Sequence, residues 1–556
     1  MCLHKLAIIV ARNDEKEFGE LVASLQQLDI PDDMNVELIP VVEYRTRAAA
    51  CAYAMKNSDA KYKIYMREDC RIADKTLLTR IVDTFKSHAD IGMIGLSGTR
   101  VIPTHLDCLS AKKRAGIVNI KGDGIRRWQN NGDLTEVMAV DEYFLATQYD
   151  FPWDEDLLSS DFLSFLAQGI SLCQHGYKIA VLPQIKPSAT VSYMLNETIS
   201  VTDRDLFLDK YSMAIFPLVT ILLQTHNRPK MFEEALNSVL RQTYRNLEVV
   251  ISDNSDYDDT QKLIQRYIAA DKRIKYFRNK GFTVYENTFF LCEYDNPDAE
   301  YINWLADDDG FYPGKLEQEI NYYLEDDNLS LVTSCRRFVD EAGNILKDED
   351  TSAICQKTSI IDAKSAARYM ILNKRNFIGE QSTVLLKKSF LRLPRPIYEK
   401  KYNLHSKYLM LCWKCDDEVP LLRGDMPMWL YLLEKGNMVY ITEPLAWFRN
   451  HKGQLQRSDE VACRQEVLNW GWCIVQGFKR KVIEQTEVSE LITFWLTFFS
   501  YTVNNMHGFK LREEMWSSEL YQMAQEMIDW LYKGAVPQMK YLLSEYVYED
   551  ELVLKN

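Results

Sequence analysis

At 556 residues the chain has room for about three domains, and 47% apolar with 26% charged residues is the composition of an ordinary soluble protein with sizeable cores. A formal net charge of -14 argues against a phosphate-backbone partner, because nucleic-acid binders gather Lys and Arg on one face, so nucleic acid is not an expected ligand. The start, MCLHKLAIIVARNDE, has one short apolar run that meets charge at once, which suits a first buried strand rather than a signal peptide. The most apolar window, residues 491–503, falls short of the ~20 residues that span a bilayer. A cytoplasmic chain is therefore expected, and a peripheral contact at the inner membrane face is compatible with it. Twelve scattered cysteines suit reduced, mostly buried thiols. Cys412 and Cys415 form a CxxC without a second pair at metal spacing.

In chain order, residues 5–10 form an apolar strand that enters the polar turn Ala11-Arg12-Asn13-Asp14, and a helical pattern follows through Leu21, Leu25 and Leu28. A second strand is predicted over 36–42, an Ala-rich helix over 46–57, and a third strand over 63–66 that runs into Arg67-Glu68-Asp69. Alternation of strand and helix predicts an α/β layer with a largely parallel sheet, whose ligands sit at the carboxyl ends of the strands. Between residues 104 and 140 the periodicity is weak, and the segment reads as a long surface excursion.

The stretches KYKIYMREDCRI, IGMIGLSGTRVIP and FLATQYDFPWDEDL resemble a bacterial branch of family 2-like glycosyltransferase domains, over roughly residues 5–190. Asp69 keeps that pattern. Ser159 stands where the resemblance expects an acid, and Phe162 and Phe165 where it expects a His and an Asp. A phenyl ring neither titrates nor binds metal, and a lone hydroxyl is no general base at neutral pH. The first domain is therefore expected to be non-catalytic, with a structural, assembly or acceptor-presenting role.

Near Phe216-Pro217 the logic restarts: LVTILLQTHN repeats the strand-then-turn pattern of KLAIIVARND about 210 residues later. A helix over 231–241, a strand over 247–252, the turn Asp253-Asn254-Ser255-Asp256, a helix over 260–270 and a strand over 274–277 follow. Then comes YINWLADDDGFYPGKL, an apolar strand ending in three aspartates. Carboxylates so placed are costly unless a cation neutralises them, and a divalent metal is one such cation; a solvated acidic turn is the plainer reading.

PLVTILLQTHNRPKMFEEALNSVLRQTYRNLEVVISDNS resembles the start of family 2 glycosyltransferases of the GT-A fold. The resemblance implies that Thr225, Asn227, Arg228 and Asp253 hold the base and ribose of a nucleotide, and FRNKGFTVYEN places Arg278, Asn279 and Asn287 near it. Ala306 stands where many relatives have the first Asp of an Asp-x-Asp, so the implied positions move to Asp307 facing the ribose, Asp308 on a metal and Asp309 in support. Mn²⁺ or Mg²⁺ suits such hard oxygen ligands. NFIGE makes Gly379 and Glu380 candidates for the floor of the sugar pocket, with a turn before a strand over 383–386 as the plain alternative. Asp425, four residues before Trp429, matches the aspartate of the family's Glu-Asp…Trp motif, although Gly424 replaces the Glu, and is implied as general base. His451 sits where relatives return a histidine to the diphosphate or its metal.

From residue 458 onward no strand pattern persists, and amphipathic helices are predicted over 461–481, 488–504, 518–532 and 536–546. Their aromatic faces suit packing on the chain itself, and a homo-oligomer or acceptor contact is the alternative. The expectation is thus an α/β chain of two tandem GT-A-like domains with mostly parallel sheets, over 1–213 and 214–457, plus a helical region over 458–556. The implied activity is a metal-dependent, inverting transfer from a nucleotide-diphosphate sugar, UDP-hexose or UDP-N-acetylhexosamine being the family's commonest donors, to a hydroxyl of a glycan or protein acceptor. A non-catalytic scaffold of decayed transferase domains is the rival. A nucleotidyltransferase lacks support, since no Gly-rich phosphate loop is present.

Overall fold

The computed structural model describes residues 2–128, 132–157, 159–194, 199–346, 354–391, 425–452, 460–505 and 519–539. Cys412, Cys415 and Gly424 lie outside them. The chain divides into two compact units, Met1–Phe216 and Pro217–Asn556.

In the first unit the apolar run of Cys2–Ala11 pairs in parallel with Asn35–Val41 on one side and Ala60–Met66 on the other. Phe144–Thr147 inserts antiparallel between Ala60–Met66 and Ile91–Gly95, and Lys178–Val181 continues the sheet in parallel. Helices Glu15–Leu25 and Arg47–Asn57 start just past the carboxyl ends of the first two strands, capped by Asp14 and Thr46. Within the expected surface excursion between residues 104 and 140, Arg114–Ile120, Gly124–Arg127, Thr135–Val137 and Ala139–Val140 are instead strands. Arg114–Ile120 is almost wholly buried and pairs with Ser97–Thr99, Ala189–Val191 and Gly124–Arg127, while Thr135–Val137 edges the main sheet. RAGIVNI shows no alternation because both of its faces are covered.

The second unit is built on a nine-stranded sheet. Its parallel half is made by four strands whose register aligns their ends: Thr225 of Leu218–Thr225 lies opposite Asp253 of Leu247–Asp253, and Gln224 opposite Ala306 of Ala299–Ala306. Asp253 in turn lies opposite Arg278 of Ile274–Arg278. Residues far apart in sequence are thereby set on one edge, at the carboxyl ends where such sheets take ligands. On the other side, Asn437–Arg449 runs parallel to Leu329–Val339 and pairs antiparallel with Gly310–Phe311, which brings residues 449–451 back to the aspartates.

Helices Glu460–Lys479, Gln485–Asn505 and Glu519–Lys533 follow. They share one core with Asp425–Leu433 and Ala363–Leu372, in which Trp429, Trp472, Trp495 and Trp530 are all buried. The helical region is therefore part of the second unit's core. No helix forms over residues 534–539, because Gly534 takes a left-handed φ of 70° that ends the preceding helix and Pro537 follows it; residues from 540 on lie outside the described set. Among the described residues no helix is long and apolar enough to cross a membrane.

Candidate active site

The aspartates that end Ala299–Ala306 have different surroundings. Asp307 is 6% exposed; its carboxylate accepts from Thr225 Oγ1 at 2.9 Å, the His226 N–H at 3.2 Å and Arg228 at 3.1 Å. Burial and the charge of Asp308 push Asp307 up to about 6. Asp308 Oδ2 meets Arg228 at 3.0 Å and His451 Nε2 at 2.8 Å. Asp309 faces inward, where it accepts from Ser382 Oγ at 2.6 Å and the Arg449 N–H at 3.2 Å, and burial, then Asp308, raises its carboxyl well above the usual range. Arg449 also donates from Nε to the Asp308 carbonyl at 3.0 Å, so one arginine backs the turn from behind.

Gly310 follows the triplet, and a Cβ there would overlap the ring of Trp447. Gly310→Ala should cost about 1–3 kcal/mol through forced repacking, read as an earlier midpoint in urea denaturation of the full chain.

Asp253 is fully buried. It accepts from the Ser255 N–H at 2.8 Å and Tyr276 Oη at 2.7 Å, and pairs with Arg278 at 3.0 Å. Asn279 donates its N–H to the Asp253 carbonyl at 2.7 Å and its amide to Ser252 Oγ at 2.7 Å. Asn287 lies inside the fold: its amide donates to the Ser252 carbonyl at 3.0 Å and Asn254 Oδ1 at 3.1 Å, and accepts from Ser252 Oγ. Asn227 adopts a left-handed φ of 55°; its N–H donates to Ser255 Oγ at 2.8 Å and its side chain is clamped to Asp256 through two hydrogen bonds at 2.7 and 2.9 Å. The sequence-predicted nucleotide residues thus gather at one edge, where Asn287 and Asn227 brace the two turns. Ser252, Ser255 and Tyr276, which sequence reasoning missed, complete the bracing.

Across the sheet, Gly379 sits at φ 109°, a conformation that favours glycine, and its carbonyl accepts from Trp429 Nε1 at 3.0 Å. Glu380 pairs with Arg336 at 2.5 Å. Asp425 opens the helix Asp425–Leu433 in a half-buried position. Burial first, then the charge of Glu380 and, more weakly, of Glu466, push its carboxyl up to about 7, against the opposing pull of a Gln381 hydrogen bond and of Arg336. The turn 380–383 therefore holds Asp309 through Ser382, and its Glu380 and Gln381 act on the Asp425 carboxyl in opposite senses. Gln381, Ser382 and Arg336 carried no signal in the sequence.

Among the described residues no group of three or more His, Cys, Asp or Glu side chains is arranged to hold a metal ion. Two donors do meet, Asp308 and His451. That pair fits Mn²⁺ or Mg²⁺ of the kind that takes one or two protein ligands and fills its shell with phosphate oxygens and water. Both Asp309 oxygens are engaged by Ser382 and Arg449, so it stands behind that pair.

In the first unit, Asp69 is held by Arg67 through two contacts, at 2.8 and 2.6 Å, and accepts from the Ser192 N–H at 2.9 Å. Phe165 is buried edge-on against Trp153 under the Arg47 guanidinium, and Ser159 hydrogen-bonds Asp203 at 3.0 Å. Asp161, a nearby acid not singled out from the sequence, accepts from the Ala48 N–H at 2.8 Å at the start of a helix.

Residues 220–390 match the family described as glycosyl transferase family 2, and residues 7–211 the one described as glycosyltransferase like family. An uncharacterized glycosyltransferase of Rickettsia prowazekii is 30% identical over 119 residues, 21% of this chain and 36% of that protein. The GalNAc(5)-diNAcBac-PP-undecaprenol beta-1,3-glucosyltransferase of Campylobacter jejuni is 32% identical over 100 residues, 18% of this chain and 32% of that enzyme. The chain thus spans about a third of the length of these relatives. Staphylococcus aureus TarS 1-349, solved in complex with UDP-GlcNAc, is 15% identical at a TM-score of 0.36, covering 60% of this chain and 88% of that one. The chain carries two glycosyltransferase domains of the family 2, GT-A-like class in tandem, followed by a helical C-terminal part.

Proposed function

We propose that the second unit is a metal-dependent, inverting glycosyltransferase that moves a sugar from a nucleotide-diphosphate donor, a UDP-hexose or UDP-N-acetylhexosamine, to a hydroxyl of a glycan or protein. The observation that carries this reading is the turn 380–383, which ties the candidate base Asp425 and the acidic triplet to one short segment. A donor with its nucleotide at the edge formed by Thr225, Asp253 and Arg278 would have its diphosphate at Asp308 and its sugar toward Gly379 and Glu380. A divalent ion held by Asp308 and His451 would supply positive charge to the departing diphosphate. Asp307 orients the nucleotide side from its fixed place against Thr225 and the His226 N–H. Asp425 takes the proton from the acceptor hydroxyl as its oxygen attacks the anomeric carbon from the face opposite the diphosphate, so one displacement inverts the configuration. A carboxylate whose protonation midpoint lies near 7 has the basicity such a step needs at neutral pH. The first unit is assigned a non-catalytic role, structural, in assembly or in presenting the acceptor; the ion pair that occupies Asp69 and Phe165 in its core support its being non-catalytic.

A thermal-shift screen of UDP-sugars with and without Mn²⁺ tests the reading, because a ligand that binds only the folded state raises its melting point. One UDP-sugar should raise the melting temperature more with Mn²⁺ than without. No shift with any nucleotide sugar would overturn it.

A further inference from the structure

The first unit has a cleft of about 470 Å³ at the carboxyl ends of its parallel strands. It is placed as a donor cleft would be, but its chemistry differs. Its lining contributes five carboxylates against three guanidiniums. Several of the groups that could receive phosphates are already used. Arg67, at the cleft floor, is bound to Asp69 at 2.6 Å and Glu142 at 3.0 Å, donates to the Tyr193 carbonyl at 2.9 Å and lies 4.0 Å from the centre of the Tyr193 ring. The N–H groups of Asn13 and Asp14 donate to Glu68 at 2.7 and 3.0 Å, and the Ala48 N–H is taken by Asp161 at 2.8 Å. At both helix starts a protein carboxylate sits where an anion would bind.

The contrast with the second unit is specific. There Asp308 is held by one nitrogen of Arg228, whose side chain is 32% exposed, and by His451. Here Asp69 is gripped by two nitrogens of an arginine two residues away whose side chain is 7% exposed. A guanidinium built into the fold has taken the place a metal would need.

What the cleft does offer is a rim of aromatic faces and free acceptor capacity. Tyr44 is 37% exposed, in ring contact with Tyr53 at 5.3 Å, and Tyr193 is 54% exposed. Arg45, also exposed, makes no ion pair among the described residues. Carboxylates accept two hydroxyls each, and tyrosine faces cover the apolar side of a pyranose ring. Net negative charge disfavours a diphosphate or a uronic acid and leaves uncharged, hydroxyl-rich ligands unopposed.

We propose that the cleft bounded by Tyr44, Arg45, Glu68, Asp69 and Tyr193 is a metal-independent binding site for an uncharged oligosaccharide. The proposal rests on the reading of the first unit as non-catalytic and gives that unit a ligand.

The test uses the full chain carrying Asp308→Ala, on an array of neutral hexose and N-acetylhexosamine oligosaccharides with uronic-acid oligosaccharides beside them. Neutral oligosaccharides should be retained in EDTA, unaffected by UDP, and retention should fall about tenfold in Tyr44→Ala/Tyr193→Ala, the scale of two lost aromatic contacts. Because both tyrosines are exposed, circular dichroism should show the variant folded; if it does not, Arg45→Glu, which removes the exposed hydrogen-bond donors of the rim, should still lower retention. Absence of any retained neutral oligosaccharide, displacement by UDP, or retention indifferent to both variants overturns the proposal. Donor hydrolysis that survives Asp308→Ala and vanishes with Asp69→Ala would instead overturn the non-catalytic reading of this unit, a separate failure with its own readout.

Discussion

Asp425→Asn should lower the turnover number by on the order of 10²- to 10⁴-fold with the donor's dissociation constant unchanged, the pattern of a lost general base. The amide keeps the shape of the side chain and its contact with Gln381 but cannot take a proton. The wild-type rate should fall as pH drops below about 7, since burial and Glu380 hold the carboxyl protonated up to that point and only the carboxylate accepts the acceptor's proton. Arg336 and Gln381 pull the other way, so Arg336→Met should move the acid limb to higher pH, an outcome that a merely structural Asp425 would not give. Stability follows the opposite sense. Between the ordinary value of 3.8 and about 7 the folded chain holds a proton that the unfolded chain has lost, so this group's contribution is full below 3.8 and disappears as pH rises through 7. The Asn variant has no such proton to lose, and its melting temperature should exceed the wild type's at pH 8 and match it at pH 4. A variant as active as wild type in steady-state transfer would remove Asp425 from the mechanism.

Parts of this site can be read along the chain because they sit at the ends of apolar runs. LVTILLQT, LEVVISD and YINWLA each announce a buried strand, and the register that aligns Thr225, Asp253 and the aspartates follows once those strands are neighbours. What the sequence conceals is the use to which each polar atom is put. Asn287 looks like a ligand contact until the fold shows its amide spent on Ser252 and Asn254, and Asp309 looks like its neighbours until Ser382 and Arg449 are found on it. Satisfaction of a buried polar group is decided by partners distant in sequence, 73 residues away for Ser382 and 140 for Arg449. RAGIVNI was hidden for a related reason: a strand covered on both faces loses the alternation that marks a strand. The helical C-terminal part was legible as helices, but not as part of the core around Trp429, because amphipathicity identifies a buried face without naming what buries it.

Asp308→Ala should reduce transfer by on the order of 10²- to 10³-fold, the scale seen when a group stabilising transition-state charge is removed. It should also abolish the additional thermal shift that Mn²⁺ gives a bound UDP-sugar. The reason lies in how Asp308 is held. Its partners come from two separate segments, Arg228 from the turn after the first strand and His451 from the end of the last, so the carboxylate is the meeting point of both sides of the sheet. His451→Ala should reproduce part of the loss, and the double variant should be little worse than Asp308→Ala alone, because two groups serving one ion are not additive. Asp309→Asn should behave differently. Its carboxyl is committed to Ser382 and the Arg449 N–H, so the substitution should leave the Mn²⁺ concentration for half-maximal activity near the wild-type value. Excess Mn²⁺ separates the outcomes: it should partly rescue His451→Ala, which retains the carboxylate, and leave Asp308→Ala inactive. Full activity of Asp308→Ala in EDTA would mean that the aspartate turn serves only the fold, with Arg228 as its permanent cation.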